Sequence, residues 1–88
     1  MRRDKLREKM QRSAHGWRRR DLQRLYHSHG FEKHEGGKHT MYIHADYPHL
    51  WATVSRSKDV KSVYVRDALR LIERLETEIE NLEAEGGV

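Results

Sequence analysis

Two helical patterns of apolar residues occupy the first third of the chain. Over residues 3 to 14, apolar residues recur every four positions among good helix formers, at Leu6, Met10 and Ala14. This spacing predicts a short and very polar helix. After His15-Gly16, residues 17 to 29 repeat the helical spacing with Leu22, Leu25, Tyr26 and His29. Gly30 follows and predicts the end of this second helix, because glycine adopts positive φ without strain.

Three short segments rich in aromatic and β-branched residues follow, namely FEKH, HTMYIH and LWATVS. They are separated by Glu35-Gly36-Gly37 and by residues 45 to 48, which have the composition of turns, so the pattern predicts a small antiparallel sheet of three strands. Side chains alternate between the two faces of a strand. On that basis we assign to the core Met41, Ile43, Ala52 and Val54. This choice puts His39 on the helix-facing side and leaves Tyr42 and Trp51 on the open face.

The last third of the chain carries one continuous helical stripe. Apolar residues alternate spacings of three and four, at Val65, Ala68, Ile72, Leu75, Ile79 and Leu82. With Ser62 as the N-cap and Gly86-Gly87 as the end, the predicted helix has about 23 residues and a length of about 35 Å. A sheet of three short strands cannot cover a helix of that length. The last turns therefore either pack on a partner helix or on the N-terminal helix, or stay solvated with pairs such as Arg74 and Glu78.

Taken together, these elements predict an α+β fold in two layers. Both main helices carry a single apolar stripe, so they are expected to pack on one face of the sheet and to leave the other face open. With 88 residues, the chain has room for one small domain.

Composition excludes several classes of protein. The chain has no cysteine, which rules out disulfides, thiolate metal sites and a thiol nucleophile. It has no apolar run approaching 18 residues and no apolar stretch after its basic start. We therefore expect no transmembrane helix, no secretory signal and a cytoplasmic location. No two of the seven histidines have the His-x-x-x-His spacing of a metal-binding helix. Without cysteine, a structural zinc site would need ligands from scattered positions, so we expect no metal site.

Charge is unevenly distributed along the chain. Residues 1 to 24 carry ten Lys and Arg against three Asp and Glu, a net of +7, whereas residues 69 to 88 carry two against six, a net of −4. The basic first quarter of the chain suggests that the protein binds a polyanion such as nucleic acid, because Lys and Arg displace counterions from phosphates. A solvated basic helix face explains the same residues. The acidic end would repel phosphate and suits a protein contact or a solvent-facing helix.

An ordered series of features covers residues 18 to 75. It comprises a helix that ends at Gly30-Phe31, a Gly-x-His turn at Gly37-Lys38-His39, an alternating strand with Tyr42, a further strand, and a helix rich in Arg and aliphatic residues. This series resembles the HicA toxins, the small ribonucleases of type II toxin-antitoxin modules. Many members of that family have Gly-Ser-His where this chain has Gly-Lys-His, and the histidine is retained.

The resemblance implies a fold like that of double-stranded-RNA-binding domains and a metal-independent endoribonuclease without a cofactor, which cleaves mRNA and inhibits translation. It implies a catalytic histidine at His39 and neutralisation by a HicB-type antitoxin. The RNA-binding residues expected with it are Lys33, Gly37, Lys38, Arg18, Arg19 and Arg20. The chain is then divided into a basic helical extension (1–16), the HicA-like domain (17–75) and an acidic helical extension (76–88), which is a candidate for self-association.

Histidine suits this chemistry because it titrates near neutral pH and serves as either base or acid. Lys38 and the amides of Gly36-Gly37 are expected to hold a phosphate. The second acid-base group stays open among His34, His44, Lys33 and water. We expect an acidic antitoxin surface to cover Lys33, Lys38 and His39.

Two other classes of function fit the same sequence. A non-catalytic RNA-binding module would use the same fold and basic residues, with His39 incidental. An adaptor protein would act through its long C-terminal helix and would need neither His39 nor the basic residues. Tyr42 and Trp51 would suit base stacking, an antitoxin contact or simple shielding of the sheet.

Overall fold

The computed structural model describes residues 4–57 and 59–86 of the chain. Six elements follow one another, namely α1 (Lys5–Arg12), α2 (Arg19–Ser28), β1 (Phe31–Glu35), β2 (His39–His44), β3 (Trp51–Ser55) and α3 (Ser62–Gly86). The predicted α+β order is confirmed. Ser62 is the first residue of α3, and Gly87, the second half of the predicted helix end, lies outside the described residues. Gly30 has the expected positive φ, 86°.

The three strands form one antiparallel sheet in the order β1-β2-β3, as predicted. Phe31 of β1 lies opposite His44 of β2, and Thr40 of β2 lies opposite Val54 of β3. Within the described residues, both outer strands therefore leave one edge without a neighbouring strand. None of the helices in the described ranges is long and apolar enough to cross a membrane.

The core lies between the helices and one face of the sheet. Its helical part consists of Met10, Leu22, Leu25, Tyr26, Val65, Ala68, Ile72 and Leu75, and Ala14, which follows α1, is buried with them. The Tyr26 ring stacks on the Tyr42 ring at a centroid distance of 4.4 Å and meets the Phe31 ring edge-on at 5.2 Å. These three rings join α2 to the first two strands. Aromatic pairs of this kind stabilise a core by about 0.5–1.5 kcal/mol beyond the burial of their area.

The phase of β2 is the reverse of the one predicted from its sequence. Thr40, Tyr42 and His44 are buried against the helices, whereas Met41 and Ile43 are only partly buried on the open face. The assignment of Met41 and Ile43 to the core is therefore wrong. The same reversal corrects two further predictions, because Tyr42 lies in the core and His39 lies on the open face.

Specific partners explain why polar side chains occupy the buried phase of β2. The Thr40 hydroxyl accepts a hydrogen bond from Arg19 Nη2 at 3.2 Å. His44 Nδ1 accepts hydrogen bonds from the backbone N–H groups of Asp46 and Tyr47 at 3.1 and 3.2 Å. Its ring also leaves no room for a side chain at Gly30, where a Cβ atom would lie 2.7 Å from His44 Nε2. Buried polar groups are tolerated when they are hydrogen-bonded in this way.

The phase predicted for β3 is confirmed. Val54 is buried and Ala52 packs against the core, while the Trp51 side chain is 53% exposed on the other face.

The N-terminal helix α1 packs against α3 and belongs to the same core. Met10 is 1% exposed, and the Arg7 guanidinium donates two hydrogen bonds of 2.7 Å to the Glu76 carboxylate. Asp4 caps the helix by accepting from the Arg7 backbone N–H at 3.0 Å. The segment preceding residue 17 thus contributes core residues to the rest of the chain.

The second half of α3 becomes more exposed towards its C-terminal end. Ile79 still packs against the core, while Leu82 is 52% exposed. Glu78, predicted to pair with Arg74, is bonded to His49 Nε2 at 2.7 Å. Since Ile72 and Leu75 are buried, Leu82 is the stripe residue still available for the self-association that the sequence suggests.

Candidate nucleic-acid interface and catalytic turn

The turn between β1 and β2 carries His39. We call residues 36–39 the catalytic turn, after the role that the family resemblance predicts for His39. The Gly36 backbone N–H donates to the His39 carbonyl at 3.0 Å and closes the turn. His39 is the first residue of β2 and lies opposite Ser55 of β3. Its side chain is exposed. The geometry therefore presents the imidazole to solvent at one end of the sheet, on the open face.

A cavity of about 490 Å³ lies at the same end of the sheet, lined by Arg18, Arg19, Arg20, Arg56 and Asp59. We call it the arginine pocket. An isolated antiparallel bridge joins Arg18 to Asp59, and the Val60 N–H donates to the Trp17 carbonyl at 3.2 Å. These bonds hold the segment preceding α3 against the start of α2. They bring together basic residues that are far apart in sequence.

The start of α2 places three arginines next to one another. The Arg18 backbone N–H donates to the Asp21 carboxylate at 3.0 Å, so the helix begins directly after Arg18. Arg19 and Arg20 then lie in the first turn, beside the unpaired backbone N–H groups that every helix N-terminus presents. Guanidinium groups and helix N-termini both favour anions, and a phosphate suits their geometry.

Arg56 is a member of the pocket that the sequence did not single out. Its Nη1 donates to the Gly37 carbonyl at 3.0 Å and lies 3.4 Å from the Gly36 carbonyl. Arg56 thus connects the arginine pocket to the catalytic turn. The signal that would have found it is the strand register, because Arg56 directly follows Ser55, the partner of His39.

Glu35 places a negative charge between these groups. Its carboxylate lies 3.1 Å from Lys33 Nζ and 3.9 Å from both Arg19 and Arg56. The hydrogen bond and the positive charge of Lys33, and then the charges of Arg56 and Arg19, hold the pKa of Glu35 below its ordinary value. The carboxylate is therefore ionised at neutral pH and offsets part of the positive charge of the pocket.

The six predicted RNA-binding residues do not share one surface. Arg18, Arg19 and Arg20 line the arginine pocket, and Gly37 and Lys38 are exposed in the catalytic turn. Lys33 lies on the helix-facing side of β1, where it donates to Gln23 at 3.2 Å and pairs with Glu35. Arg19 contacts Thr40, the neighbour of His39 in β2. Pocket and histidine thus occupy opposite faces of the same end of the sheet, and the catalytic turn lies between them.

A second groove of about 320 Å³ runs between β3 and α3, lined by Trp51, Ala52, Thr53, Asp67, Arg70, Leu71 and Arg74. Its exposed aromatic ring and its two arginines are the residue types on which single-stranded nucleic acids stack and bind. Charge patterning did not point to Arg70 and Arg74, because they belong to the acidic last third of the chain.

The described ranges contain no group of three His, Asp or Glu side chains arranged to hold a metal ion. Two histidines instead form bonds between elements. His29 Nδ1 lies 2.9 Å from the Leu25 carbonyl and its Nε2 lies 3.0 Å from Asp4, while His49 is bonded to Glu78.

Comparison with known proteins gives no relative, since no protein-family model, no curated protein and no solved structure matches the chain. The function is therefore inferred from the residues and geometry of the site.

Proposed function

We propose that the protein is a HicA-like toxin, a metal-independent endoribonuclease that cleaves mRNA and so inhibits translation. The observation that carries the proposal is the position of His39, exposed on the catalytic turn, with the arginine pocket at the same end of the sheet. The helix-strand-strand-strand-helix order agrees with the fold of double-stranded-RNA-binding domains that we propose for this family. The pattern of residues 18 to 75 supports the same family.

In the proposed mechanism, an RNA strand passes over the end of the sheet. The arginine pocket binds a phosphate that flanks the cleaved bond, and the exposed Lys38 and the backbone N–H of Gly37 stabilise the negative charge that develops on the reacting phosphate. The backbone N–H of Gly36 takes no part, because it donates to the His39 carbonyl. His39 exchanges a proton with the reacting oxygen. Binding is electrostatic and independent of base identity at the pocket, because phosphate contacts position an RNA without reading its sequence.

A HicB-type antitoxin is the proposed partner. A surface that presents carboxylates to the catalytic turn would compete with RNA for the same cations, and charge complementarity would direct it there. The positions of Lys33 and His39 add one requirement for the shape of this partner. Since Lys33 and His39 lie on opposite faces of the sheet, a partner that contacts both must wrap around the turn.

The test is expression of the chain without an antitoxin, together with cleavage of purified mRNA in the presence of EDTA. We expect the wild-type chain to arrest growth and to cleave, and His39→Gln to lower cleavage by about 10²- to 10⁴-fold, the usual contribution of an acid-base group. His27→Gln is the matched control, because His27 is exposed on α2. Equal cleavage by wild type and His39→Gln, at matched soluble levels, would contradict the assignment.

A non-catalytic RNA-binding module is the second candidate function. The groove beside Trp51 favours it, because stacking on that ring and phosphate contacts from Arg70 and Arg74 need no histidine. This candidate predicts RNA binding without cleavage, and His39→Gln would then leave every RNA-directed effect unchanged.

A further inference from the structure

We propose that His34 is the second catalytic histidine and that it forms, with His39, the acid-base pair of the ribonuclease. This inference rests on the proposed function and goes further, since it assigns the group that completes the reaction. Its basis is the strand register, which puts both imidazoles on the open face of the sheet.

The register of β1 and β2 defines the spacing of the pair. His34 lies directly opposite Met41, and Met41 is two residues from His39 on the same face of β2. His34 and His39 are therefore diagonal neighbours across an antiparallel pair, positions at which the backbones lie about 7–8 Å apart. Both side chains are exposed, so an RNA strand lying on the open face can reach both.

The other two side chains considered for this role are occupied elsewhere. His44 is 6% exposed, faces the helices, and its Nδ1 already accepts two backbone N–H groups. Lys33 lies on the helix-facing side of the sheet and is bonded to Gln23 and Glu35. Neither can reach a phosphate that is in contact with His39 on the open face.

A backbone spacing of about 7–8 Å allows a phosphate to lie between the two imidazoles. In an in-line displacement at phosphorus, the attacking and leaving oxygens lie on opposite sides of the phosphorus atom. Base and acid must each come within about 2.6–3.2 Å of a different oxygen. Two imidazoles that flank the phosphate meet this requirement, whereas two groups in mutual contact would not.

The two histidines together account for every proton that moves in the cleavage step. One histidine takes the proton of the 2′-hydroxyl as the bond from the 2′-oxygen to phosphorus forms. The bond from phosphorus to the 5′-oxygen breaks, and the other histidine gives its proton to that oxygen. The products are a 2′,3′-cyclic phosphate and a 5′-hydroxyl end, and neither an oxidant nor a metal ion takes part in the step.

The test compares wild type, His34→Gln, His39→Gln and the control His27→Gln on an oligoribonucleotide that contains one cleaved linkage. We expect His34→Gln to lower kcat by at least about 10²-fold while KM changes less than about threefold. The bell-shaped dependence of kcat on pH that one acid and one base produce should lose one limb in each active-site variant. Thermal melting should be unchanged, because His34 is exposed.

A second substrate separates catalysis from positioning. With sulfur in place of the 5′-oxygen at the cleaved linkage, the leaving group needs no acid, so whichever of the two variants lacks the acid should recover activity and the other should not. Recovery of both variants or of neither would overturn the pairing. An unchanged kcat in His34→Gln would also overturn it and would leave the proposed nuclease intact, whereas a wild-type chain that does not cleave RNA would overturn both.

Discussion

At the scale of single residues, Glu35 controls how much positive charge the arginine pocket offers. The Glu35 carboxylate lies within 4 Å of Lys33, Arg19 and Arg56, so an incoming phosphate competes with it for the same cations. Because Lys33 and the two arginines lower its pKa, Glu35 remains a competitor well into mildly acidic solution.

Glu35→Gln should therefore tighten RNA binding. We expect an increase in affinity of about two- to fivefold at low salt, a range typical of an exposed ion pair, measured by fluorescence anisotropy with a single-stranded oligoribonucleotide. The difference from wild type should persist from pH 7 to pH 5 and disappear only as the pH falls through the lowered pKa of Glu35, where the wild-type carboxyl becomes neutral.

Glu83→Gln is the matched control for this prediction. It removes the same charge from an exposed position, but Glu83 lies near the far end of α3, away from the arginine pocket. An equal gain in both variants would show that overall charge, and not competition in the arginine pocket, sets the affinity.

At the scale of the elements, α1 is held to α3 by the bidentate pair of Arg7 and Glu76. The Arg7 side chain is 16% exposed and the Glu76 side chain 46% exposed. The hydrogen bond from Arg7 is the main cause that lowers the pKa of Glu76 below its ordinary value of 4.5. Since the folded-state pKa is lowered, the pair contributes its full stability above pH 4.5 and loses it as the pH falls through the lowered value.

Arg7→Gln should lower the free energy of unfolding by about 1 kcal/mol at pH 7, because a partly exposed ion pair with ideal bidentate geometry contributes near the upper end of the usual range. Urea unfolding of both proteins at pH 7, 5 and 3 measures this difference in the free energy of unfolding. The difference from wild type should be equal at pH 7 and pH 5 and smaller at pH 3. Arg12→Gln, at an exposed position of the same helix, serves as the control, and an equal loss there would contradict the specific role of Arg7.

Most elements of this fold could be predicted from local pattern, but the phase of β2 could not. The stripe that begins at Val65 fixes α3 because its opposite face is almost wholly polar. In β2, both faces offer apolar side chains, Met41 and Ile43 on one and Tyr42 on the other. The choice is made by partners distant in sequence, namely the Tyr26 ring that stacks on Tyr42 and the groups that satisfy Thr40 and His44. Alternation alone contains no information about them.

In the candidate site, too, some residues could be predicted from local sequence and others could not. Arg18, Arg19 and Arg20 are adjacent in sequence, so charge alone found them. Arg56 is separated from them by more than thirty residues, and only the sheet register and the bridge between Arg18 and Asp59 bring it into the same pocket. His34 became a specific candidate only when the register placed it on the face of His39.

At the scale of the whole molecule, the arginine pocket and the acidic end of α3 lie at opposite ends of the long axis. The helix α3 begins shortly after Asp59, which lines the arginine pocket, and its 25 residues extend about 37 Å from there. The pocket and the catalytic turn therefore lie near one end, and the acidic last turns of α3 lie at the other. We expect RNA, the proposed substrate, to be attracted to the first end and repelled from the second, so that the charge distribution orients its approach.

The proposed antitoxin should follow the same polarity, which hydrogen exchange on the complex can measure. We expect backbone protection over residues 33–44, because an acidic partner surface is attracted to Lys33, Lys38 and the arginines near the catalytic turn and is repelled by the acidic end of α3. Residues 76–85 should exchange as in the free chain, which provides the internal control. Raising the salt concentration should weaken the complex, since the attraction is screened. Protection confined to residues 72–85 would show that inhibition acts through α3, and it would place the interface around Leu82 and not at the catalytic turn.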